Sequence, residues 1–126
     1  MIDFNKEGFF SRLKKVKDDE FDKVVFELLT DDEKVIGAYQ SVRDGILFTN
    51  KRIIAINIQG VTGKKKDFTS IPYSKITTYS LESSGVFDID SELQVFVSGL
   101  GRIDFQFVGR TDIKLICKTI SEYILR

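Results

Sequence analysis

The spacing of apolar residues changes near position 30, from a helical period to the alternation typical of β-strands. Before that point, Phe9, Phe10, Leu13 and Val16 recur at helix-like spacing among basic residues. A second apolar set falls at i, i+3, i+4, i+7 and i+8 and predicts one face of a short helix that packs on the rest of the domain: Phe21, Val24, Val25, Leu28 and Leu29. Residues 1–30 are therefore predicted to form a helical segment.

From Val35 onward, β-branched and aromatic residues occur in short runs separated by polar turn residues, which favours strands. The predicted strands are Val35–Gln40, Gly45–Thr49, Arg52–Ile58, Lys65–Ile71, Thr77–Ser83, Leu93–Val97 and Ile103–Val108. Three turns predict hairpins: Asn50-Lys51, Gly60 to Gly63, and Gly99 to Gly101. Seven short antiparallel strands imply a sandwich or a strongly bent barrel.

The last predicted element is a helix with a single apolar stripe. Thr111 or Asp112 supplies a candidate cap, and the stripe consists of Ile113, Ile116, Cys117, Ile120 and Ile124. With 126 residues, 42% of them hydrophobic, the chain is long enough for one domain with a sizeable core. Residues 31–126 are predicted to be that domain, with residues 1–30 added to it as a helical segment.

The charge balance and the single cysteine limit the partners and the cellular compartment that we expect. The 19 basic and 19 acidic residues give a formal net charge of zero, so no global field favours nucleic acid or an anionic membrane, and any such binding must be local. The single cysteine cannot form an internal disulfide, and the start of the chain lacks the pattern of a secretory leader. We therefore expect a cytoplasmic protein without a membrane span.

The chain lacks the residues of the common catalytic sites. It has no histidine, and its one cysteine lies on the apolar stripe, where we expect it to be core, so Cys-His pairs, histidine-dependent serine triads and histidine metal sites are excluded. Asp88 and Asp90 offer two carboxylates, but a calcium loop needs more oxygen ligands, and solvation of a turn is the better interpretation. Gly60 and Gly63 are too close together for a nucleotide-binding loop. No catalytic residue, metal or cofactor is predicted.

Two local features are candidates for contact with anionic lipid. The basic hairpin tip of Lys64, Lys65 and Lys66 would suit a lipid surface or an acidic partner, although lysines also solvate strand edges and discourage aggregation. Phe9 and Phe10 among lysines have the layout of an interfacial anchor, although packing of this segment on its own domain is favoured. We expect any membrane contact to be weak.

Three segments carry a resemblance to a known family. They run from Arg43 through Gly45 and Gly63 to Ser74, from Glu82 to Asp90, and through Glu92-Leu93. In these segments the chain resembles the bacterial pleckstrin-homology-like (bPH) proteins. The resemblance implies a mainly β fold with terminal helices, in which a barrel of about seven antiparallel strands in two crossed sheets is capped by a C-terminal helix.

The resemblance also implies a function. It points to a non-enzymatic interaction module that assembles into a cyclic homo-oligomer, with a pentamer favoured, and binds an unidentified protein partner. The candidate partner-binding residues, expected to be exposed, are Arg43, Asp44, Thr49, Asn50, Lys51 and Arg52. Eukaryotic pleckstrin-homology domains use several basic residues in the first inter-strand loop, whereas this loop has one arginine beside an aspartate, which argues against inositol-phosphate recognition. The alternatives are a peripheral anionic-lipid module using Lys64 to Lys66 and an enzyme with an unrecognised carboxylate site. No nucleic-acid partner is expected.

Overall fold

A computed structural model describes residues 1–4, 10–42, 44–83, 90–111 and 113–125. All seven predicted strands and the predicted terminal helix are present, within a few residues of their expected ends. The elements in chain order are β1 (Lys14–Val16), α1 (Asp22–Val25), β2 (Val35–Ser41), β3 (Asp44–Thr49), β4 (Arg52–Gln59), β5 (Lys65–Pro72), a 3-10 turn (Tyr73–Lys75), β6 (Ile76–Ser83), β7 (Ser91–Val97), β8 (Gly101–Phe107) and α2 (Ile113–Ile124).

The strands form two antiparallel sheets that are not closed into a continuous barrel. Sheet 1 has the order β1-β2-β3-β4-β5 and sheet 2 the order β6-β7-β8. At one seam, residues just before β1 hydrogen-bond to β8, where the Leu13 amide donates to the Gln106 carbonyl at 2.9 Å. At the other seam, the 3-10 turn carries the chain from β5 into β6 without a ladder between these two strands. The expected two-sheet architecture is confirmed, but full closure is not.

The helix predicted around Phe9 to Val16 is wrong where the structure describes it. Lys14–Val16 is a strand that pairs with β2, and Phe9 lies outside the described residues. Leu13 belongs to the core between the sheets, while Val16 packs on the opposite face of sheet 1. Positions three apart lie on opposite faces of a strand, so apolar residues at helix-like spacing here serve two different cores.

The second predicted helix exists but is short. α1 is a single turn, and of its predicted apolar face Phe21 and Val25 are buried whereas Leu28 is exposed. Residues 17–34, which we call the strap, cross the outer face of sheet 1. The ring of Phe21 lies so close to Gly45 that a Cβ there would stand 2.4 Å from it. A glycine at position 45 is therefore required for the strap to lie flat.

The main core fills the space between the two sheets and α2. Its centre is aromatic, with the rings of Tyr39 and Phe107 4.8 Å apart and nearly perpendicular. α2 buries the predicted stripe at Ile113, Ile116, Cys117 and Ile120, and Ile124 packs against the same cluster while partly exposed. The predicted cap is wrong for Thr111, whose buried hydroxyl makes no hydrogen bond, and Asp112 lies outside the described residues.

Sheet 1 has a second core on its outer face, under the strap. It consists of Phe21, Val25, Ala38, Leu47, Ile54 and Ile56. In β4 the four consecutive residues Ile53 to Ile56 are all buried, because alternate side chains enter the two cores. None of the described residues forms such a cover on the outer face of sheet 2, which carries mainly polar side chains, with Phe96 half exposed among them.

Candidate functional site

A buried carboxylate joins the strap to the turn between β3 and β4. The side chain of Glu33 is fully buried, and Arg52 grips it with two hydrogen bonds of 2.8 Å, from Nε to Oε2 and from Nη2 to Oε1. Arg52 also donates to the Leu28 carbonyl at 2.7 Å and to Ser70 Oγ at 3.0 Å. A bidentate pair of this kind stabilises the end of the strap on strand β4.

Thr49 completes the site from the strand side. Its hydroxyl donates to Glu33 Oε2 at 2.6 Å and accepts the amides of Lys51 and Arg52, each at 3.0 Å. Its carbonyl accepts the Tyr73 hydroxyl at 2.6 Å. Thr49 has no exposed surface, so the expectation that it is a solvent-facing residue is wrong. The Thr49 side chain therefore stabilises the turn and is not available to a partner.

Asn50 and Lys51, at the tip of the same turn, bind the strap as well. The Asn50 side chain accepts the Lys34 amide at 2.8 Å and donates to the Asp32 carbonyl at 3.0 Å. Lys51 Nζ lies 2.7 Å from Asp32 Oδ1. Both side chains keep surface exposed, so they remain available to a partner in a way that Thr49 does not.

The ionisation of this cluster favours the charged forms. Burial by itself raises the pKa of Glu33, but the hydrogen bonds from Arg52, Thr49 and the Thr30 amide together outweigh it, and the pKa is lowered overall. The hydrogen bond with Lys51 likewise lowers the pKa of Asp32 and raises that of Lys51. The turn is therefore held by carboxylates that stay ionised near neutrality.

The predicted partner-binding residues do not lie together. Asp44 is at the other end of β3, roughly 17 Å from Thr49 by the rise of an extended strand, where its carboxylate accepts Asn57 Nδ2 at 3.1 Å and the Ile58 amide at 3.0 Å. Arg43 lies outside the described residues. The set therefore divides into the strap-binding turn, Thr49 to Arg52, and the hairpin between β2 and β3.

The three predicted lipid-binding lysines are exposed on the hairpin between β4 and β5. Lys64 precedes β5, and Lys65 and Lys66 pair with Gln59 and Ile58 of β4. At the tip of this hairpin Val61 is fully exposed. Across from it, Val42 is 95% exposed in the β2 to β3 turn and has a φ of 49°. Neither valine was singled out from the sequence, although each is an apolar residue inside a polar turn.

The two sheets differ at their outer edges, which are the consecutive strands β5 and β6. β5 carries Lys65, Lys66 and Pro72, and the first residues of the chain bind to it, with the Met1 amino group 2.9 Å from Asp67 Oδ2. β6 has the sequence Ile-Thr-Thr-Tyr-Ser-Leu-Glu-Ser, without lysine or proline, and no described strand pairs with its other edge. An open edge of eight residues is a template for pairing with another chain.

Metal and thiol chemistry find little support among the described residues. These residues contain no group of three acidic, histidine or cysteine side chains able to hold a metal ion. Asp90 accepts the Gly109 amide at 2.9 Å, and Asp88 lies outside the described residues. Cys117 is buried as predicted, and burial raises the pKa of its thiol to about 11. No helix in the described part of the chain is both long and apolar enough to cross a bilayer.

Two sheets capped by a C-terminal helix match the expected family. The family model of the bacterial PH domain matches residues 5–124, nearly the whole chain. The chain belongs to the bacterial PH domain family. YjqA of Bacillus subtilis strain 168, an uncharacterized protein, is 51% identical over 96 residues, which span 75% of this chain and 77% of YjqA.

Solved structures of bacterial PH domains agree with this assignment. One is a DUF1696 family protein with a pleckstrin-homology domain from Shewanella loihica PV-4, which is 37% identical, with a TM-score of 0.74 over 90% of this chain and 98% of that one. Another is a pleckstrin-homology domain from Shewanella amazonensis SB2B, 39% identical, with a TM-score of 0.63 over 88% and 90% of the two chains. The PH-like fold expected from the sequence is thus confirmed.

Proposed function

We propose that this bacterial PH domain is a non-enzymatic, cytoplasmic interaction module that assembles into a cyclic homo-oligomer, with a pentamer favoured, and binds a protein partner. The observation that carries the proposal is the open edge of β6. Among the described strands, β6 is a long edge strand that pairs with β7 on one side and with no strand on the other. It carries no lysine or proline, and the described start of the chain does not cover it. Natural sheets protect such edges. β6 has an irregularity near its start and Glu82 near its end, but the stretch from Thr78 to Leu81 between them carries no such protection, which supports pairing with a partner strand there.

Ring closure places a requirement on the contact. If β6 paired with β6 of a second copy, the contact would be two-fold and would close as a dimer. A ring needs β6 to meet a different surface of its neighbour, so that each copy uses both surfaces once. The molecular mass distinguishes a pentameric ring from a dimer, because five chains of 14.4 kDa give about 72 kDa, far above the mass of two chains.

Light scattering coupled to size exclusion tests the assembly. We expect the mass of a ring for the wild type and the mass of a monomer for the double variant Thr78→Lys/Ser80→Lys. This variant places two lysines on β6, as β5 already has, and lysines on an edge strand oppose its pairing with another chain. The matched control, Ser74→Lys/Gln106→Lys, adds the same charge at exposed positions off this edge and should keep the ring. A monomeric wild type at tens of micromolar would refute the assembly.

The proposed partner contacts lie at the two ends of β3: the polar turn at Asn50 and Lys51, and the hairpin of Arg43 and Asp44. Support comes from the exposed surface that Asn50 and Lys51 retain while their positions are fixed by the strap. Thr49 is withdrawn from the surface because it is buried, and Arg52 acts through its grip on Glu33. A pull-down with the assembled protein, compared with an Asn50→Ala/Lys51→Ala variant of equal mass, tests this surface. Equal capture by both would exclude it.

A further inference from the structure

The outer face of sheet 2 ends in two glutamates that lie directly opposite each other. Glu82 of β6 is the register partner of Glu92 of β7, and we call these two residues the glutamate pair. Like charges at directly opposite positions of neighbouring strands are unfavourable. Glu92 accepts a hydrogen bond from the neutral Gln94 side chain at 3.2 Å, and in the described part of the chain neither glutamate forms an ion pair. This end of the face therefore carries negative charge that the described fold leaves uncompensated.

The other end of the same face has an aromatic ring beside a shallow cavity. Phe96, four residues after Glu92 on β7, is 51% exposed. The cavity next to it has a volume of about 250 Å³, and its lining includes Thr78, Ser80, Gln94, Phe96 and Arg102. By the rise of an extended strand, Phe96 stands roughly 13 Å from Glu92. The face thus offers an apolar contact at one end and negative charge at the other.

The tip of the β4 to β5 hairpin has the opposite charge and its own apolar side chain. The last register pair of this hairpin joins Gln59 to Lys65, so Val61 and Lys64 lie in the loop beyond it. Val61 is fully exposed, and the lysines Lys64, Lys65 and Lys66 are exposed as well. We call residues 61–66 the basic tip. Protection of the β5 edge accounts for two of its lysines but not for the valine.

We propose that the basic tip of one copy docks on the outer face of sheet 2 of the next copy, with Val61 in the cavity beside Phe96 and the lysines on the glutamate pair. This inference rests on the proposed cyclic assembly and names the second surface that a ring requires, because tip and face are different patches that each copy uses once. Opposite charges favour the tip-to-face contact. Like charges oppose tip-to-tip and face-to-face contacts, which disfavours a two-fold dimer.

The spacing of the two surfaces agrees with this contact. Val61 and Lys65 are four residues apart, as are Phe96 and Glu92. The loop is more compact than a strand, and the flexible four-carbon stem of lysine supplies the remaining reach. Because the contact uses side chains of the tip, the backbone edge of β5 stays free of another chain. A lysine at Gln106, on the β8 side of Glu92, leaves both glutamates in place, so the ring should persist in that variant.

Charge reversal tests the contact by light scattering coupled to size exclusion. We expect the mass of a monomer for the tip variant Lys64→Glu/Lys65→Glu/Lys66→Glu and for the face variant Glu82→Lys/Glu92→Lys, because each brings like charges together. All five substitutions in one chain restore opposite charges, so this combined variant should regain the mass of the wild-type ring. An equimolar mixture of the tip and face variants should also associate. A ring in either variant alone, or no association in both the combined chain and the mixture, would overturn the proposal.

Matched variants separate the contact from net charge. Asp19→Lys/Glu20→Lys reverses two exposed carboxylates on the strap, the other acidic surface of the chain, and Lys17→Glu/Lys23→Glu/Lys118→Glu reverses three exposed lysines outside the tip. Both should keep the mass of the ring. If they lost the ring as completely as the tip and face variants, net charge would explain the losses and the proposed contact would be wrong.

The apolar half of the contact has its own test. Val61→Asn should raise the protein concentration at which the ring dissociates by about tenfold at an unchanged melting temperature. Leu125→Asn, at a side chain that is 76% exposed at the end of α2, is the matched control and should leave that concentration unchanged. Equal effects of the two substitutions would overturn the placement of Val61.

The same measurements distinguish this contact from the assembly itself. A monomeric wild type would refute the ring and the contact together. A wild-type ring whose mass ignores both charge reversals would refute the contact alone. If the tip variant kept the mass of the ring but lost adhesion to anionic vesicles, the lysines would belong to a lipid surface, and the proposed contact would be overturned.

Discussion

Sheet 1 and sheet 2 use the same kind of antiparallel strand but leave different surfaces to the solvent. Sheet 1 is covered on its inner face by the main core and on its outer face by the strap, and its β5 edge is guarded. In the part of the chain that the structure describes, sheet 2 is covered on one face only, and no strand pairs with the outer edge of β6. The difference predicts that sheet 1 contributes most of the domain's stability, and sheet 2 is the side on which we propose contact with another chain.

The largest test of this contrast places a carboxylate on the outer face of each sheet. Leu47 is fully buried under the strap, so Leu47→Asp should lower the free energy of unfolding by several kcal/mol, enough to unfold many domains of this size. Phe96→Asp, on the half-exposed outer face of sheet 2, should cost about 1 kcal/mol or less. Urea unfolding measures both, and equal losses would show that the two outer faces are alike.

The next effect concerns the carboxylate that fastens the strap. Glu33→Gln leaves Arg52 with a neutral partner and should lower the free energy of unfolding by about 2–3 kcal/mol at neutral pH. The folded pKa of Glu33 lies below its ordinary value of 4.5, so its contribution is complete above that pH and is lost as the pH falls through the folded pKa. The gap between wild type and variant should therefore narrow in acid. A gap that is constant from neutral pH to about pH 3 would contradict this account.

A smaller effect is expected where the strap presses on the sheet. Gly45→Ala puts a methyl group 2.4 Å from the Phe21 ring and should cost about 1–3 kcal/mol as the strap shifts. Gly60→Asn, in the open hairpin loop where φ is 78° and nothing lies within 4 Å of the added atom, is the matched control and should be nearly neutral. A thermal melt separates them. An unchanged melting temperature for Gly45→Ala would mean that the strap is loosely held.

The smallest effect changes protection without changing stability. Amides along β6 should exchange with deuterium faster than those of β5 in dilute protein, and should slow as the concentration rises and copies associate. The amides of β5, whose edge is guarded, should show no such dependence on concentration. Exchange that is independent of concentration in both strands would remove the functional contrast between them.

The strands and the last helix could be predicted from the sequence because an element with one buried and one solvated face has apolar residues at a regular spacing. That spacing can be recognised within a single short segment. β1 was missed because a three-residue strand is too short to show alternation, and because Leu13 and Val16 enter different cores. The fastening of the strap was missed for another reason. Glu33 and Arg52 are far apart along the chain, and only the topology of sheet 1 brings them together.

The sequence was a weaker guide to the site residues than to the fold. Lys64 to Lys66 are exposed where the hairpin pattern put them, and whether they bind lipid stays a prediction. Thr49 was expected at the surface because it is polar and stands at a strand end, yet its hydroxyl has three internal partners. Polarity alone does not separate a residue that binds a partner from one that satisfies a turn. The open edge of β6 depends on strand order, which no local pattern contains.

The single thiol of this domain can be used to measure how often α2 opens. Cys117 lies on the buried face of α2, and with its pKa raised to about 11 the thiol is almost wholly protonated at neutral pH. With 7% of the residue exposed, a thiol reagent should modify it mainly when the helix lifts away from the two sheets, so the rate of labelling follows how often that happens. Because the chain has no other cysteine, this rate needs no engineered probe, and it can be followed while a second copy or a lipid surface is added.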